Sequence, residues 1–288
     1  MALAATATRL EIVPLSPVLG AEISGIDLWA PMDDATFAAI REAFVRFKLL
    51  RVADQRLDEP AHIAFSRRFG PLQLHVLDQY RHPVHPEIYL LSNVDPATGK
   101  PRGEHPDKGT MIWHTDLSFQ AIPSLATILY GIEIPRAGGE TEFCDCQAAW
   151  DALPEAEKRR IASLRCIHDL EMSRIRSKDL PLTEKQRLAA PPVEHPLVRT
   201  HPETGRKGLY LGSHLSHVVG MQADESRALI EELTAFATGP RFVHRHRWTT
   251  GDVMMWDNRS TLHRATGYDT AGDRRIVQRT VVIGDKPV

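Results

Sequence analysis

MIWHTDLSF, Met111–Phe119, and WDNRSTLHR, Trp256–Arg264, are the two stretches whose joint reading decides the fold. The first offers His114 and Asp116, the second His263, and the basic run DRRIVQR, Asp273–Arg279, follows. Two imidazoles and one carboxylate can occupy one face of an octahedral ferrous ion and leave the opposite face open for a chelating cosubstrate and oxygen. Ligands so distant in sequence meet only if a rigid sheet structure closes the intervening chain. On spacing alone the His-x-Asp pair is ambiguous, because such pairs also form in solvent or orient a catalytic imidazole.

The 288 residues suffice for one large core, and neither tandem repeats nor a low-complexity linker divides them, so residues 1–288 read as one domain. Lys and Arg number 35 against 37 Asp and Glu, and the net charge of -2 gives no global reason to expect a nucleic acid or a membrane surface as partner. Any anion must be met locally. Cys144, Cys146 and Cys166 are too few and too irregular for a disulfide framework or a zinc cluster, which points to packing roles and a reducing, cytoplasmic setting. The opening MALAATATRL lacks the basic head and sustained apolar run of a secretory signal, and no stretch is long and apolar enough to span a bilayer.

Phe37, Ile40, Phe44 and Phe47 recur at intervals of three and four, predicting a helix over Asp33–Phe47 with Asp33 and Asp34 at its start. Leu49–Ala53 reads as a short strand. A second helix is expected from Pro60 to Phe69, with Ile63, Ala64 and Phe69 inward and Gly70-Pro71 ending it. Residues 93–112 carry prolines, glycines and charges without apolar periodicity, predicting a long loop that delivers the His114 motif and can close over a ligand. Strands are expected at Ala126–Ile134, Arg199–Thr200, Gly208–Gly212, Phe242–Trp248, Asp252–Trp256 and Ile276–Ile283, and helices at Cys146–Leu153, Glu155–Leu164 and Ala223–Ala237. No glycine-rich strand-to-helix fingerprint for a nucleotide is present.

Seven stretches in order, VLGAEISGIDL, FSRRFGPL, WHTDLSF, PRAGGETEFCD, HPLVRTHPETGRKGLY, GDVMMWDNRSTLHR and DRRIVQRTVVIGDKP, span nearly the whole chain. Together they resemble the Fe(II)/2-oxoglutarate-dependent dioxygenases of the taurine dioxygenase and 2,4-dichlorophenoxyacetate dioxygenase family. The resemblance implies a mainly β fold with flanking helices around a double-stranded β-helix, or jelly roll, of cupin-like form. It implies His114, Asp116 and His263 around Fe(II), with 2-oxoglutarate and dioxygen as cosubstrates. Thr141 in GGETEF is then expected to reach one carboxylate of 2-oxoglutarate and Arg275 to pair with its distal carboxylate, a role suited to a planar, permanently charged fork. Arg274 is expected to be a solvated neighbour. No side chain is required as nucleophile or general base.

His75 in PLQLH and Arg279 occupy places that resemble the sulfonate-binding histidine and arginine of taurine dioxygenase, so an anionic substrate is expected. In a strand, Arg275 and Arg279 share a face. His75 also reads as an ordinary loop histidine. GGETEFCD with AAWDALP, PPVEHPLVRTHPETGRK and FVHRHRWTTGDVMMWDNR resemble the aryloxyacetate enzymes, whereas IGDKPV and the His75/Arg279 pair resemble the sulfonate enzymes. The expected reaction is hydroxylation and cleavage of an aryloxyalkanoate, with an alkanesulfonate as the alternative. Trp113 and Phe119, with Trp256, Met172, Ile175 and Tyr80, are candidate apolar walls for an aryl ring, and each is also an ordinary core residue. Arg174 and Arg176 read equally as an entrance segment or an exposed basic face. The resemblance also admits a homo-oligomer. Outside this class, a metal-dependent hydrolase and a nonenzymatic jelly-roll binding protein remain readings of the same three ligands.

Overall fold

The computed structural model describes residues 10–288; the expectation of no secretory signal in the opening residues falls chiefly on 1–9, outside them. In chain order the strands are β1 Glu11–Pro14, β2 Ala21–Ser24, β3 Leu49–Val52, β4 Tyr89–Ser92, β5 Ser124–Glu133, β6 Thr141–Asp145, β7 Arg165–His168, β8 Val193–Pro196, β9 Val198–Thr200, β10 Lys207–Leu209, β11 Leu215–Val218, β12 Val243–His246, β13 Val253–Asp257, β14 Thr261–Ala265 and β15 Ile276–Ile283. The helices are α1 Asp34–Phe47, α2 Glu59–Arg67, α3 Cys146–Asp151, α4 Glu155–Ile161, α5 Leu170–Ser177, α6 Glu184–Ala189 and α7 Ala223–Ala237.

A seven-stranded sheet in the order β1-β2-β3-β13-β5-β15-β4 forms the main layer, antiparallel except where β2 runs parallel to β3. Its side chains alternate with the period of two that a pleated strand imposes. Ala126, Ile128 and Tyr130 of β5 and Val253 and Met255 of β13 pack with Ile40 and Phe44 of α1 and Phe65 of α2. Leu129, Met254, Trp256, Val277 and Val281 belong instead to a second cluster with Phe143 of β6. The Phe143 and Trp256 rings lie 5.3 Å apart, joining the large sheet to the three-stranded sheet β12-β6-β14. The site lies between these two sheets.

α1 begins where Asp33 accepts a hydrogen bond from the Thr36 N–H, and α2 where Asp58 accepts one from Ala61, each side chain capping an otherwise unpaired backbone donor. In α2 it is Phe65, not Ala64, that turns inward: Ala64 is exposed, because the helix buries the His62–Ile63 and Phe65–Ser66 stripe against the sheet. Helix and strand are nearly balanced, at 27% and 28%, which corrects the expectation of a mainly β chain. The extra helix includes α5 and α6, short and charged segments without a legible apolar stripe. All three cysteines are buried and free. Among the described residues no helix is long and apolar enough to cross a membrane.

Candidate metal centre

The Trp113–Asp116 run is tied to β14 by a two-way backbone bridge: His114 N–H donates to the His263 carbonyl at 3.0 Å, and His263 N–H to the His114 carbonyl at 2.8 Å. This pairing brings the two imidazoles together, ring centroids 4.1 Å apart. Asp116 completes the group, and ligand atoms of all three buried residues lie within 4.8 Å of one another. Asp116 Oδ2 stands 3.5 Å from His263 Nε2, and Oδ1 stands 4.0 Å from His114 Nε2.

This donor set fits a divalent ion. His114 Nδ1 is 2.8 Å from the Ile112 carbonyl, so Nδ1 carries the proton and the Nε2 lone pair is left to bind a metal. Burial alone would raise the Asp116 carboxyl, but the Arg279 guanidinium and the two imidazoles hold it well below its ordinary value, keeping it anionic. Burial, and then the neighbouring His114, push the His263 imidazole well below its usual range, so it stays neutral as a ligand must.

Cavities open on two sides of this cluster. One is lined by His114 and Asp116 with His75, Phe119, His214 and Arg279; the other by His263 with Thr141, Trp256, Leu129, Arg275 and Arg279. Arg279 borders both.

In the second cavity, Trp248 Nε1 donates to Thr141 Oγ1 at 2.9 Å, which leaves the hydroxyl proton free for an incoming acceptor. Arg275 is buried, and its guanidinium has no carboxylate within ion-pair distance among the described residues; burial depresses its pKa, with only Tyr268 opposing. An unpaired buried guanidinium is costly and calls for an anion. Its neighbour Arg274 is exposed and paired with Glu133.

In the first cavity, Arg279 donates from Nη1 to Asp116 Oδ1 at 3.0 Å, its Nε is buried without a partner, and its guanidinium carbon lies 4.2 Å over the Tyr89 ring. His75 Nδ1 accepts from the Leu77 N–H at 3.1 Å, so Nε2 carries the proton. Burial first, then Arg279, hold this imidazole neutral. The 93–112 segment supplies Asp107, Gly109 and Thr110 to the same wall.

Phe119 lines the cavity, but Trp113 does not. In an extended segment neighbours point oppositely, and Trp113 packs into the cluster with Trp150 and Leu233, under the Arg264 guanidinium at 4.8 Å. Met172 and Tyr80 line other surfaces, and Ile175 is 64% exposed. Of the expected apolar wall, Phe119 lines the first cavity with Leu77, Leu117 and Leu170, and Trp256 lines the second. Arg174 is buried rather than on an exposed face, hydrogen-bonded to the Leu180 carbonyl and ion-paired with Asp179 while bordering the cavity. His214, pushed down to about 3 by burial and by His114, was not singled out by sequence reasoning. It stands in GSHLSH with no spacing signal, and reaches the cavity because β11 and the Trp113–Ser213 backbone bond bring it there.

Residues 11–281 match the family described as taurine catabolism dioxygenase TauD, TfdA. The alpha-ketoglutarate-dependent 2,4-dichlorophenoxyacetate dioxygenase of Cupriavidus pinatubonensis is 38% identical over 282 residues, covering 96% of this chain and 98% of that protein. The (S)-phenoxypropionate/alpha-ketoglutarate-dioxygenase of Sphingobium herbicidovorans is 34% identical over 287 residues, covering 96% and 95%. The crystal structure of AAD-2 in complex with Mn(II) and N-oxalylglycine superimposes with a TM-score of 0.87 at 32% identity, over 97% of this chain and 98% of that one. With three buried side chains that could hold a metal between two sheets and residues 11–281 matched, the chain belongs to the TauD, TfdA family of dioxygenases.

Proposed function

We propose that this protein is an Fe(II)- and 2-oxoglutarate-dependent dioxygenase that hydroxylates and cleaves an anionic aryloxyalkanoate. The observation that carries this reading is the pair of buried arginines four residues apart, Arg275 and Arg279, on one side of a His114–Asp116–His263 cluster. Arg275 faces the cavity beside His263 and Thr141 without a carboxylate partner, and Arg279 borders both cavities. The relatives named for 2,4-dichlorophenoxyacetate and phenoxypropionate support the aryloxy class.

In this reading His114, Asp116 and His263 hold Fe(II), Thr141 and Arg275 take the two ends of 2-oxoglutarate, and His75 and Arg279 take the substrate anion, with Phe119 against its ring. Bound there, iron with 2-oxoglutarate and dioxygen supplies the oxidising equivalents, yielding succinate and carbon dioxide and placing a hydroxyl on the carbon beside the ether oxygen. The resulting hemiacetal collapses to a phenol and an oxoacid. The chain itself binds, orients and excludes water: Arg279 and His75 fix the acid group so that the ether carbon faces the ligand cluster, and Leu77, Leu117 and Leu170 with Phe119 form the apolar side of the cavity. We read the two facing sheets as a double-stranded β-helix, residues 1–288 as one domain, and the cytoplasm as its setting.

Anaerobic loading with Fe(II), followed by oxygen-started turnover of 2-oxoglutarate with separate panels of aryloxyalkanoates and alkanesulfonates, tests this. Phenol released in step with succinate is the expected result. Sulfite in step with succinate moves the substrate to the sulfonate class, and hydrolysis without succinate overturns the dioxygenase reading.

A further inference from the structure

Asn258, in the turn between β13 and β14, is 2% exposed and has every amide position engaged. Its Oδ1 accepts from Trp256 Nε1 and from the Asp116 backbone N–H, both at 3.1 Å, and its Nδ2 donates to Ser124 Oγ and Thr127 Oγ1, both at 2.9 Å. A flipped amide would set its NH2 against two N–H donors, so the orientation is fixed. The directions then propagate. Thr127 Oγ1 already receives an Asn258 proton, and its own proton goes to Asp116 Oδ2 at 2.6 Å. Ser124 sends its proton to the Ala126 carbonyl at 3.1 Å, so it does not compete. Thr115, between the two expected ligands, donates its hydroxyl to the Asn258 carbonyl at 2.8 Å.

Asp116 is therefore gripped from two sides of different kinds. Arg279 holds Oδ1, but Arg279 also borders the substrate cavity and is available to an incoming anion. Thr127 is fully buried on β5, faces no cavity described above, and has nothing else to hold. We propose that Thr127, oriented by Asn258, is a positioning residue that keeps the Asp116 carboxylate in its metal-binding orientation while Arg279 is engaged by substrate. The inference rests on the reading of His114, Asp116 and His263 as metal ligands.

The test is Mn(II) titration by calorimetry of the folded protein without 2-oxoglutarate, comparing wild type, Thr127→Val, Thr127→Ser and Asp116→Ala, with succinate kinetics in parallel. Valine keeps the shape and removes the hydroxyl, while serine restores it. Loss of an outer hydrogen bond to a ligand weakens metal binding roughly 10–100-fold in general, so Thr127→Val is expected to lose that much and Thr127→Ser to stay within about threefold of wild type. In metal-saturated turnover kcat falls while the aryloxyalkanoate KM holds. Wild-type Mn(II) affinity in folded Thr127→Val overturns the proposal, as does a serine variant as weak as valine, which would make packing the cause. If Thr127→Val does not fold, Thr127→Ala removes the same hydroxyl and is read the same way. Equal titrations of wild type and Asp116→Ala would instead sink the ligand assignment, and this proposal with it.

Discussion

Arg279 Nη1 lies 3.0 Å from Asp116 Oδ1, both side chains 5% exposed, so the expected anchor of the substrate and an expected ligand of the metal form one buried ion pair. Removing one partner of such a pair strands the other charge, at a cost of about 3–5 kcal/mol. Arg279→Ala is therefore expected to lower kcat/KM for the aryloxyalkanoate by two orders of magnitude or so, and to leave Mn(II) binding no weaker because the stranded Asp116 carboxylate loses a competing cation, with the 2-oxoglutarate KM moving less. Steady-state succinate formation with each compound varied in turn reads this directly. An unchanged substrate KM would remove Arg279 from substrate recognition.

Arg275 presents the opposite case, because its guanidinium is buried with no carboxylate beside it. Two predictions of opposite sign follow from one substitution. Arg275→Met should raise the 2-oxoglutarate KM by about 100-fold, the worth of a charge-assisted fork on a carboxylate, and leave the substrate KM nearly unchanged. The same variant should melt no lower than wild type in the absence of 2-oxoglutarate, since it removes an uncompensated buried charge. A fall in both melting temperature and 2-oxoglutarate affinity would mean that Arg275 is structural.

That His114, Asp116 and His263 would meet and that the two arginines would share a cavity was legible because they sit in compact motifs, and because a spacing of four in a strand implies a shared face. Their platform was less so. β6 and β14, which carry Thr141 and His263, were not anticipated as strands: TEFCD and TLHRA alternate, but Glu142 and Arg264 pair with each other on one side, diluting any apolar signal. Trp113 was misplaced because proximity in sequence to His114 is not proximity in space along an extended chain. Thr127, Asn258 and His214 left no trace at all, since a buried polar residue becomes visible only when its partners, far away in the chain, are known.

Stability should depend on pH through His62, which is fully buried on α2 with Nε2 3.3 Å from the Ile128 carbonyl and Nδ1 unpaired. Burial pushes this imidazole down to about 4 from its ordinary 6.5. Between those values the unfolded chain takes up a proton that the folded chain refuses. The contribution is therefore intact above pH 6.5 and is lost as the pH falls toward 4, by at most about 1.4 kcal/mol per pH unit. Urea unfolding at pH 7 and pH 5 should show this loss in wild type and a shallower one in His62→Gln, which keeps an N–H donor without a titrating ring. Equal slopes in the two proteins would assign the pH dependence to other groups.

Gly212, just after β10, lies against the backbone of the His114–Thr115 segment. Its φ is +125°, and a Cβ there would stand 3.0 Å from His114 Cα and 3.3 Å from Thr115 N, backbone atoms that cannot rotate away. Gly220 has a comparable need for positive φ, at +78°, but nothing within 4 Å of the same hypothetical atom. Both alanine substitutions carry the left-handed penalty of roughly 1–2 kcal/mol, whereas only the one at Gly212 must also displace His114. Gly220→Ala should thus lower the melting temperature and leave Mn(II) affinity intact, while Gly212→Ala lowers both. Calorimetric titration of the two variants side by side separates backbone strain from ligand displacement, and equal Mn(II) affinities would show that the His114 segment absorbs the extra methyl without moving its imidazole.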